Sequence, residues 1–282
     1  MSEDAFPTLV SPAWLARHLH DSDLCILDAS MAPAGQKTRV TSPLIKGAMT
    51  FDMDTVVCDP SATLPHMLPD AARFTALVQQ LGIDADTNVV VYDAQGMFSA
   101  PRAWWMFRLM GHTRVAVLNG GLPAWQAISG DTCPESASPA RRGSFEAKLK
   151  HDGVVNAQEV LAAIEDPKSL IIDARAAGRF AGSEPEPRAG LRQGHIPAAQ
   201  NLPFSALLHQ GQLPAKELLQ AHFNRLGVTE HHRLIFSCGS GVRACVPLLA
   251  AWLCGYRNLA LYDGSWSEWG ARNDLPVAQG PA

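Results

Sequence analysis

The chain repeats itself once, and this repeat constrains the fold more than any other feature of its 282 residues. Short apolar runs, helix-like runs and single polar residues of the first half recur in the second half at a constant spacing. Solenoid repeats have periods of about 20–50 residues, so a period this long indicates two copies of a whole domain. The pairs that share the 145-residue spacing are Asp28 with Asp173, Leu81 with Leu226, and Asp93 with Cys238.

Within each copy, short continuous apolar runs alternate with longer amphipathic runs. Continuous apolar strands are typical of a parallel sheet covered on both faces. The alternation therefore predicts an α/β fold with two tandem domains, each a parallel sheet flanked by helices on both faces. In the second copy we expect strands near 169–174, 233–237 and 258–262, and helices near 157–165, 216–226, 242–253 and 265–271.

The segment 130–143 separates the two copies. It is rich in Gly, Pro, Ser and Ala, a composition typical of linkers, and we place the domain boundary near residue 140. The sequence thus predicts a first domain over residues 1–140 and a second over residues 141–282.

Charge and cysteine spacing exclude several classes of partner and site. A net charge of −4 argues against nucleic acid and anionic membranes as partners. The N-terminal segment is acidic where a signal peptide is basic, and no apolar run approaches ~18 residues, so we expect a soluble cytoplasmic protein. The six cysteines form no CxxC pair and have no histidines at ligand spacing, so we expect neither a metal nor another cofactor.

Cys238 is the residue at which we expect the chemistry. It follows the apolar run 234–236, lies in a Gly-rich segment and directly precedes a helical pattern. Backbone N–H groups of such a loop and the start of a helix favour thiolate over thiol, which makes the sulfur a nucleophile. The first copy has Asp93 at the matching position, and a carboxylate cannot do thiol chemistry. We therefore expect a non-catalytic first domain and a catalytic second domain.

Four further segments carry a resemblance to a known family. They read Gly194-His-Ile-Pro197, Asn201-Leu-Pro-Phe204, Tyr262-Asp-Gly-Ser-Trp-Ser-Glu-Trp269 and Ser99-Ala-Pro-Arg-Ala-Trp-Trp105. With two α/β copies, of which only the second has a loop cysteine, the chain resembles the two-domain rhodanese-type sulfurtransferases over nearly its whole length. The resemblance implies two rhodanese-like domains and sulfur transfer through a persulfide on Cys238.

The active loop resembles the branch of this family that acts on 3-mercaptopyruvate. That branch has a small neutral loop, as in Cys238-Gly-Ser-Gly241, whereas thiosulfate-preferring members have the cationic Cys-Arg-Lys-Gly. Arg179 and Arg188 match the two arginines that bind the carboxylate and keto group of the substrate in that branch, and a guanidinium fork suits a planar carboxylate. The resemblance implies release of pyruvate and transfer of the outer sulfur to thioredoxin, a small thiol or cyanide.

The loop residues Gly239, Gly241, Val242 and Arg243 are expected to surround the substrate sulfur. Arg243 departs from the branch, which usually has Thr at this position. The extra cation could favour thiosulfate or stabilise the Cys238 thiolate further, so the sequence leaves the donor preference open.

The same resemblance implies a proton relay formed by Ser240, His66 and Asp54. A histidine that is aligned by an acid and bonded to a hydroxyl has a suitable pKa range for moving a proton near neutral pH. His195, in contrast, is expected to bond backbone groups. The tryptophans at helical spacing are expected to lie in the cores; these are Trp104, Trp105, Trp266 and Trp269.

Three alternative functions remain at this point. A thiosulfate:cyanide sulfurtransferase would use the same chemistry with another donor. A cysteine phosphatase or arsenate reductase needs five residues between Cys and Arg, but only four separate Cys238 from Arg243. A non-catalytic rhodanese-like binding module typically lacks the cysteine, as the first copy does.

Overall fold

In the computed structural model, residues 6–32 and 42–281 are described. The remaining positions, including the acidic residues at the start of the chain, lie outside the described residues. The chain forms two compact units. The first contains the chain up to Pro60, Leu68–Lys150 and Gln210–Gln212, and the second contains Ser61–Met67, His151–His209 and the chain from Leu213 onward.

The first unit extends ten residues beyond the boundary expected near position 140, to Lys150. The backbone N–H groups of this extension are used within the unit: Gly143 donates to the carbonyl of Gln79, and Phe145 donates to that of Ile83. The side chain of Phe145 is buried as well. The composition of residues 130–143 is typical of a linker, but backbone hydrogen bonds hold Gly143 and Phe145 on the first unit.

The first unit is built around a five-stranded parallel sheet with strand order β1-β6-β5-β2-β4. A short antiparallel pair, β3 with β7, stands apart from it. The elements are β1 (Leu9–Val10), α1 (Pro12–His18), β2 (Leu24–Asp28), β3 (Leu44–Ile45), β4 (Met49–Thr50), α2 (Ala71–Gln80), β5 (Asn88–Tyr92), α3 (Ala100–Leu109), β6 (Val115–Leu118), α4 (Gly121–Ala127) and β7 (Thr132–Cys133).

The second unit repeats this plan with a sheet of order β8-β12-β11-β9-β10, again parallel throughout. Two short 3₁₀ turns, His151–Gly153 and Phe204–Leu207, accompany it. Its elements are β8 (Val154–Val155), α5 (Ala157–Ala163), β9 (Ser169–Asp173), α6 (Ala177–Ala181), β10 (Gln200–Asn201), α7 (Lys216–Arg225), β11 (Arg233–Ser237), α8 (Cys245–Cys254), β12 (Leu259–Tyr262) and α9 (Ser265–Trp269).

The central strands are buried on both faces, as continuous apolar runs predict. In β11, Ile235 belongs to a core cluster that also contains residues of α5, α6 and α9. Its neighbours Leu234 and Phe236 point to the other face and are buried too. Trp266 and Trp269 lie in the same cluster, and Trp104 and Trp105 of the first unit are buried. The predicted α/β fold with two parallel sheets and the expected core positions are confirmed.

The helix after Cys238 begins later than the apolar pattern predicts. Periodicity places its start at Val242, whereas α8 begins at Cys245. After Gly241, which has φ +72°, the chain first forms a tighter turn: the N–H of Cys245 donates to the carbonyl of Val242 and the N–H of Val246 to that of Arg243, each at 3.1 Å. Val242 is buried nonetheless, so its apolar character reflects burial and not helix. No helix within the described residues is long and apolar enough to cross a membrane.

Candidate active site

Cys238 lies directly after the carboxyl end of β11, at the centre of the second sheet. Its side chain is only 2% exposed, and it starts a loop that ends where α8 begins. Ligands of parallel α/β sheets bind at the carboxyl ends of the strands. The segment after β9, which carries Arg179 and Arg188, leaves the sheet from the same edge because β9 and β11 are parallel neighbours.

The hydroxyl group of Ser265 fixes the Cys238 loop. The N–H groups of Cys238 and Gly241 both donate to Oγ of Ser265, at 3.2 and 3.1 Å, and this hydroxyl donates to the carbonyl of Tyr262 at 2.8 Å. Ser265 is fully buried and adopts φ +49°, which is uncommon for a residue with a side chain. A strained backbone is thus retained at a residue that orients the loop.

The start of α9 holds the other side of the loop. The N–H of Trp266 donates to the carbonyl of Cys238 at 3.0 Å, and the N–H and hydroxyl of Ser267 donate to the carbonyl of Gly239 at 2.9 and 2.6 Å. With its carbonyls engaged by α9, the loop is fixed on a rigid part of the fold. Such preorganisation keeps donors in place while charge develops on a reacting atom.

Arg179 and Arg188 both reach the Cys238 loop. A methyl group placed on Gly239 would lie 3.3 Å from Nη2 of Arg179 and 3.9 Å from Nη1 of Arg188. The absent side chain of Gly239 therefore leaves room for these guanidinium groups beside the cysteine. The structure brings together the two arginines and the cysteine that the sequence analysis selected.

Arg243 adds a third guanidinium to this cluster. Its Cζ lies 5.3 Å from the ring centroid of Phe204, within the range of a cation–π contact. Burial lowers the pKa of Arg188 and of Arg243, and the nearby Cys238 opposes the shift in both. Three guanidinium groups thus lie near one buried sulfur, and their positive charge favours binding of an anionic ligand.

Two residues that the sequence analysis did not select complete the cluster. Glu186 accepts hydrogen bonds from Nε and Nη2 of Arg179 and from Nη1 of Arg175. Arg175 also bonds the carboxylate of Asp173 and the carbonyl of Gly194, and it stacks over the ring of Trp266 at 4.2 Å. Through these contacts Arg175 fixes the segment that follows β9.

The three residues of the expected relay fall in different parts of the chain. Ser240 lies on the Cys238 loop and is 9% exposed, and His66 belongs to the short segment Ser61–Met67 of the second unit. His66 adopts φ +63°, a strained conformation that is found more often at functional sites than elsewhere. Asp54 belongs to the first unit, where its carboxylate accepts the N–H of Ala32 at 2.8 Å.

His195 has the structural role that was expected. Its Nδ1 is hydrogen-bonded to the carbonyl of Phe180 at 2.9 Å, and its ring stacks on that of Phe180 at 3.8 Å. Within the described ranges, no three or more His, Cys, Asp or Glu side chains are grouped so that they could hold a metal ion.

Comparison with known proteins agrees with this geometry. The model of the rhodanese-like domain matches the chain twice, at residues 11–128 and 156–272. The chain belongs to the rhodanese family. Each match covers four of the five strands of one parallel sheet, all but β1 and β8. The tandem rhodanese-like organisation implied by the resemblance is therefore confirmed.

Individual relatives are similar over nearly the full length. The 3-mercaptopyruvate sulfurtransferase of Escherichia coli (strain K12) is 43% identical over 273 residues, covering 95% of this chain and 96% of the relative. The mitochondrial thiosulfate/3-mercaptopyruvate sulfurtransferase 1 of Arabidopsis thaliana is 38% identical over 295 residues, covering 95% and 77%. The crystal structure of SseA from Escherichia coli, described as a 3-mercaptopyruvate sulfotransferase with the rhodanese fold, superposes with a TM-score of 0.83 at 39% identity, covering 93% and 100%.

Proposed function

We propose that this rhodanese-family protein is a sulfurtransferase that takes sulfur from 3-mercaptopyruvate, releases pyruvate and passes the sulfur to a thiol or to cyanide. The observation that carries the proposal is the placement of Cys238 beside Arg179 and Arg188, which meet at Gly239. Relatives at 43% and 38% identity that are named for this donor support it.

In the proposed complex, the two arginines hold the carboxylate and the keto oxygen of the donor. Both groups accept hydrogen bonds in the plane of the guanidinium, which lysine cannot match. This arrangement would place the C3 sulfur of the donor over the Cys238 loop. Binding of the acid group thus positions the reacting atom, which lowers the entropic part of the barrier.

The first half-reaction forms a persulfide. The Cys238 thiolate attacks the sulfur of 3-mercaptopyruvate, a sulfur–sulfur bond forms and the bond between carbon 3 and sulfur breaks. The electron pair of that bond goes to carbon 3 as the enolate of pyruvate. The proton of the substrate thiol ends on this carbon, so the products are pyruvate and an anionic persulfide on Cys238.

N–H groups of the loop would stabilise the charge on the outer sulfur. The first unit supports this assignment, because its corresponding loop already concentrates N–H donors on an anion. There, Oδ2 of Asp93 accepts the N–H groups of Phe98, Ser99 and Ala100, each at 2.9 Å. A loop of this shape is suited to binding negative charge at the position that Cys238 takes in the second unit.

For the proton we propose the relay of Ser240, His66 and Asp54. Ser240 is on the loop that bears the nucleophile, and the backbone of His66 is held in a left-handed conformation. A hydroxyl and an imidazole together can take the proton from the donor thiol and return it to carbon 3.

The second half-reaction restores the enzyme. A thiolate, from thioredoxin or a small thiol, or a cyanide ion attacks the outer sulfur and leaves with it, and Cys238 returns as the thiolate. The reaction is thus a double displacement with a covalent intermediate. Of the proposed catalytic residues, Cys238, Ser240 and His66 belong to the second unit and Asp54 belongs to the first.

Arg243 and the dual name of the Arabidopsis relative favour thiosulfate as the second candidate donor. Steady-state kinetics with each donor and a common thiol acceptor test the choice. We expect kcat/KM for 3-mercaptopyruvate, followed by pyruvate release, to exceed that for thiosulfate. A higher kcat/KM for thiosulfate would replace the proposal with a thiosulfate:cyanide sulfurtransferase, and Cys238-dependent cleavage of a chromogenic phosphate ester would replace it with a phosphatase.

A further inference from the structure

Glu186 is a buried carboxylate in the substrate-binding segment, and the proposed reaction gives it no role. Its side chain is 2% exposed and bonds two guanidinium groups at once. Buried carboxylates are costly unless they are paired, so a residue of this kind has a specific task.

The pairing with Arg179 leaves only part of that guanidinium for a substrate. Nε and Nη2 of Arg179 both donate to Glu186, which occupies one of the edges that could bind a carboxylate with two hydrogen bonds. The N–H groups of Arg179 that do not donate to Glu186 remain for a substrate, and Nη2 lies near Gly239. Glu186 therefore determines which edge of Arg179 faces the Cys238 loop.

Charge provides a second argument. The carboxylate of Glu186 forms an ion pair with Arg175 and another with Arg179. Arg175 is also paired with Asp173. Glu186 therefore offsets the positive charge of Arg179 beside the loop, where Arg188 and Arg243 also interact with Cys238.

The same carboxylate is connected to the scaffold of the loop. Glu186 accepts from Arg175 at 2.8 Å, and Arg175 stacks on Trp266, whose N–H donates to the carbonyl of Cys238. Glu186 is thus joined through one residue to the element that fixes the cysteine. Its position is determined from two sides, by Arg175 and by Arg179.

We propose that Glu186 is a positioning and specificity residue: it orients Arg179 and cancels its charge, so that the site favours a monoanionic keto acid over the dianion thiosulfate. This inference rests on the proposed function. Without Glu186, the positive charge of Arg179 is no longer offset, and a dianion gains more from the additional charge than a monoanion does. The carboxylate lowers affinity for the wrong donor, which is how specificity is often achieved.

The test compares Glu186→Gln with Glu184→Gln, an exposed residue of the same segment with the same loss of charge. We expect Glu186→Gln to shift the ratio of kcat/KM, 3-mercaptopyruvate over thiosulfate, at least about tenfold toward thiosulfate. Glu184→Gln should leave the ratio unchanged. If Glu186→Gln lowers kcat/KM equally with both donors, the proposal is overturned, because a merely structural role predicts no change of the ratio. An equal shift of the ratio in Glu186→Gln and Glu184→Gln overturns it as well.

A measurement without turnover separates this inference from the proposed function. Alkylation of Cys238 by iodoacetamide is followed with pyruvate or with sulfate as protecting anion. Wild type should be protected better by pyruvate, and Glu186→Gln relatively better by sulfate. If the protein releases no pyruvate but Glu186→Gln still shifts protection toward sulfate, the proposed function is rejected and the role of Glu186 is kept. If the protein releases pyruvate but Glu186→Gln does not change the protection, the proposed function is kept and the role of Glu186 is rejected.

A third variant keeps the test decisive if Glu186→Gln does not fold. Glu186→Asp retains the charge and shortens the reach to Arg179. We expect kcat/KM for 3-mercaptopyruvate to be lower than in wild type, and the ratio of kcat/KM for the two donors to stay within about threefold of the wild-type ratio. The melting temperature should lie closer to that of wild type than the melting temperature of Glu186→Gln does. A shift of the ratio toward thiosulfate by tenfold in this charged variant contradicts the proposal.

Discussion

The loops after β5 and β11 occupy the same position in two copies of one domain, and they treat negative charge differently. In the first loop the anion is part of the chain: the carboxylate of Asp93 accepts the N–H groups of Gln95, Phe98, Ser99 and Ala100, each at 2.9 Å. In the second loop the matching residue is Cys238, whose sulfur is charged only as a thiolate or persulfide. The first loop thus contains a permanent anion, and we propose that the reacting sulfur of Cys238 takes the matching position in the second loop.

One difference between the supports of the two loops lies at the first residue of α4 and of α9. In both copies a helix that follows the next strand, α4 or α9, donates an N–H from its first turn to the loop. Leu122 donates to the carbonyl of Asp93 and Trp266 to that of Cys238, each at 3.0 Å. The residue before the donor has positive φ in both, +53° at Gly121 and +49° at Ser265. Glycine adopts this conformation freely, whereas serine is strained. The hydroxyl of Ser265 accepts hydrogen bonds from the N–H groups of Cys238 and Gly241, which glycine could not do. This contact offsets the strained backbone of Ser265.

The largest expected effect tests which copy is catalytic. Cys238→Ser should lower turnover of 3-mercaptopyruvate by roughly 10⁴-fold or more, since the nucleophile is lost. Asp93→Cys in that background should not restore pyruvate release, because the positions 145 residues before Arg179 and Arg188 are Ala34 and Pro43. Recovery of activity by Asp93→Cys would contradict the division of roles between the copies.

Removing the built-in anion of the first loop comes next. Asp93→Ala leaves several buried N–H groups without an acceptor, so we expect the free energy of unfolding to fall by about 3–5 kcal/mol. Asp93→Asn keeps one acceptor oxygen and should lower the free energy of unfolding about half as much. Urea denaturation gives the free energies, and hydrogen exchange of residues 95–100 shows whether the change is local. A stability equal to wild type would mean that the carboxylate does not organise this loop.

Arg188→Lys keeps the charge beside Cys238 but removes the planar fork. We expect kcat/KM for 3-mercaptopyruvate to fall about 100-fold, and that for thiosulfate to fall less than about tenfold, because the keto acid needs planar recognition. Arg225→Lys, on an exposed position of α7, is the matched control. Equal losses with both donors would show that Arg188 contributes charge alone.

The smallest expected effect concerns the support of the loop. Ser265→Gly makes the second copy like the first, relieving the positive φ and removing the hydroxyl that accepts from Cys238 and Gly241. We expect kcat/KM to fall about tenfold, which corresponds to about 1.4 kcal/mol, with little change in KM. Ser265→Ala keeps the strain and should also be less stable than Ser265→Gly. Wild-type kinetics for Ser265→Gly would mean that the hydroxyl is dispensable.

Much of the fold could be predicted from the sequence because the duplication supplied a control. Strands 233–237 and 169–174 were placed within one residue, since continuous apolar runs identify buried parallel strands. The start of α8 was placed three residues early because Val242 is apolar and buried without being helical. The domain boundary near residue 140 stays a prediction from composition, which does not reveal the backbone hydrogen bonds of Gly143 and Phe145 within the first unit.

The candidate site was predictable where single residues carry the chemistry. Cys238, Arg179 and Arg188 were found from loop context and family resemblance, and the fold places them together. Glu186 was missed because its role depends on a tertiary contact with Arg175 and Arg179. Ser265 left a signal that could have been used: the first copy has glycine where the second has serine, in otherwise similar segments.

The central claim is that the buried sulfur at position 238 carries a second sulfur between the two half-reactions. The most direct measurement is intact-mass spectrometry of the full chain after incubation with 3-mercaptopyruvate and no acceptor, followed by peptide mapping. The account predicts one added sulfur atom, located on the peptide containing Cys238 and removed by cyanide or a thiol. An unmodified mass, or sulfur on another cysteine such as Cys245, would contradict it.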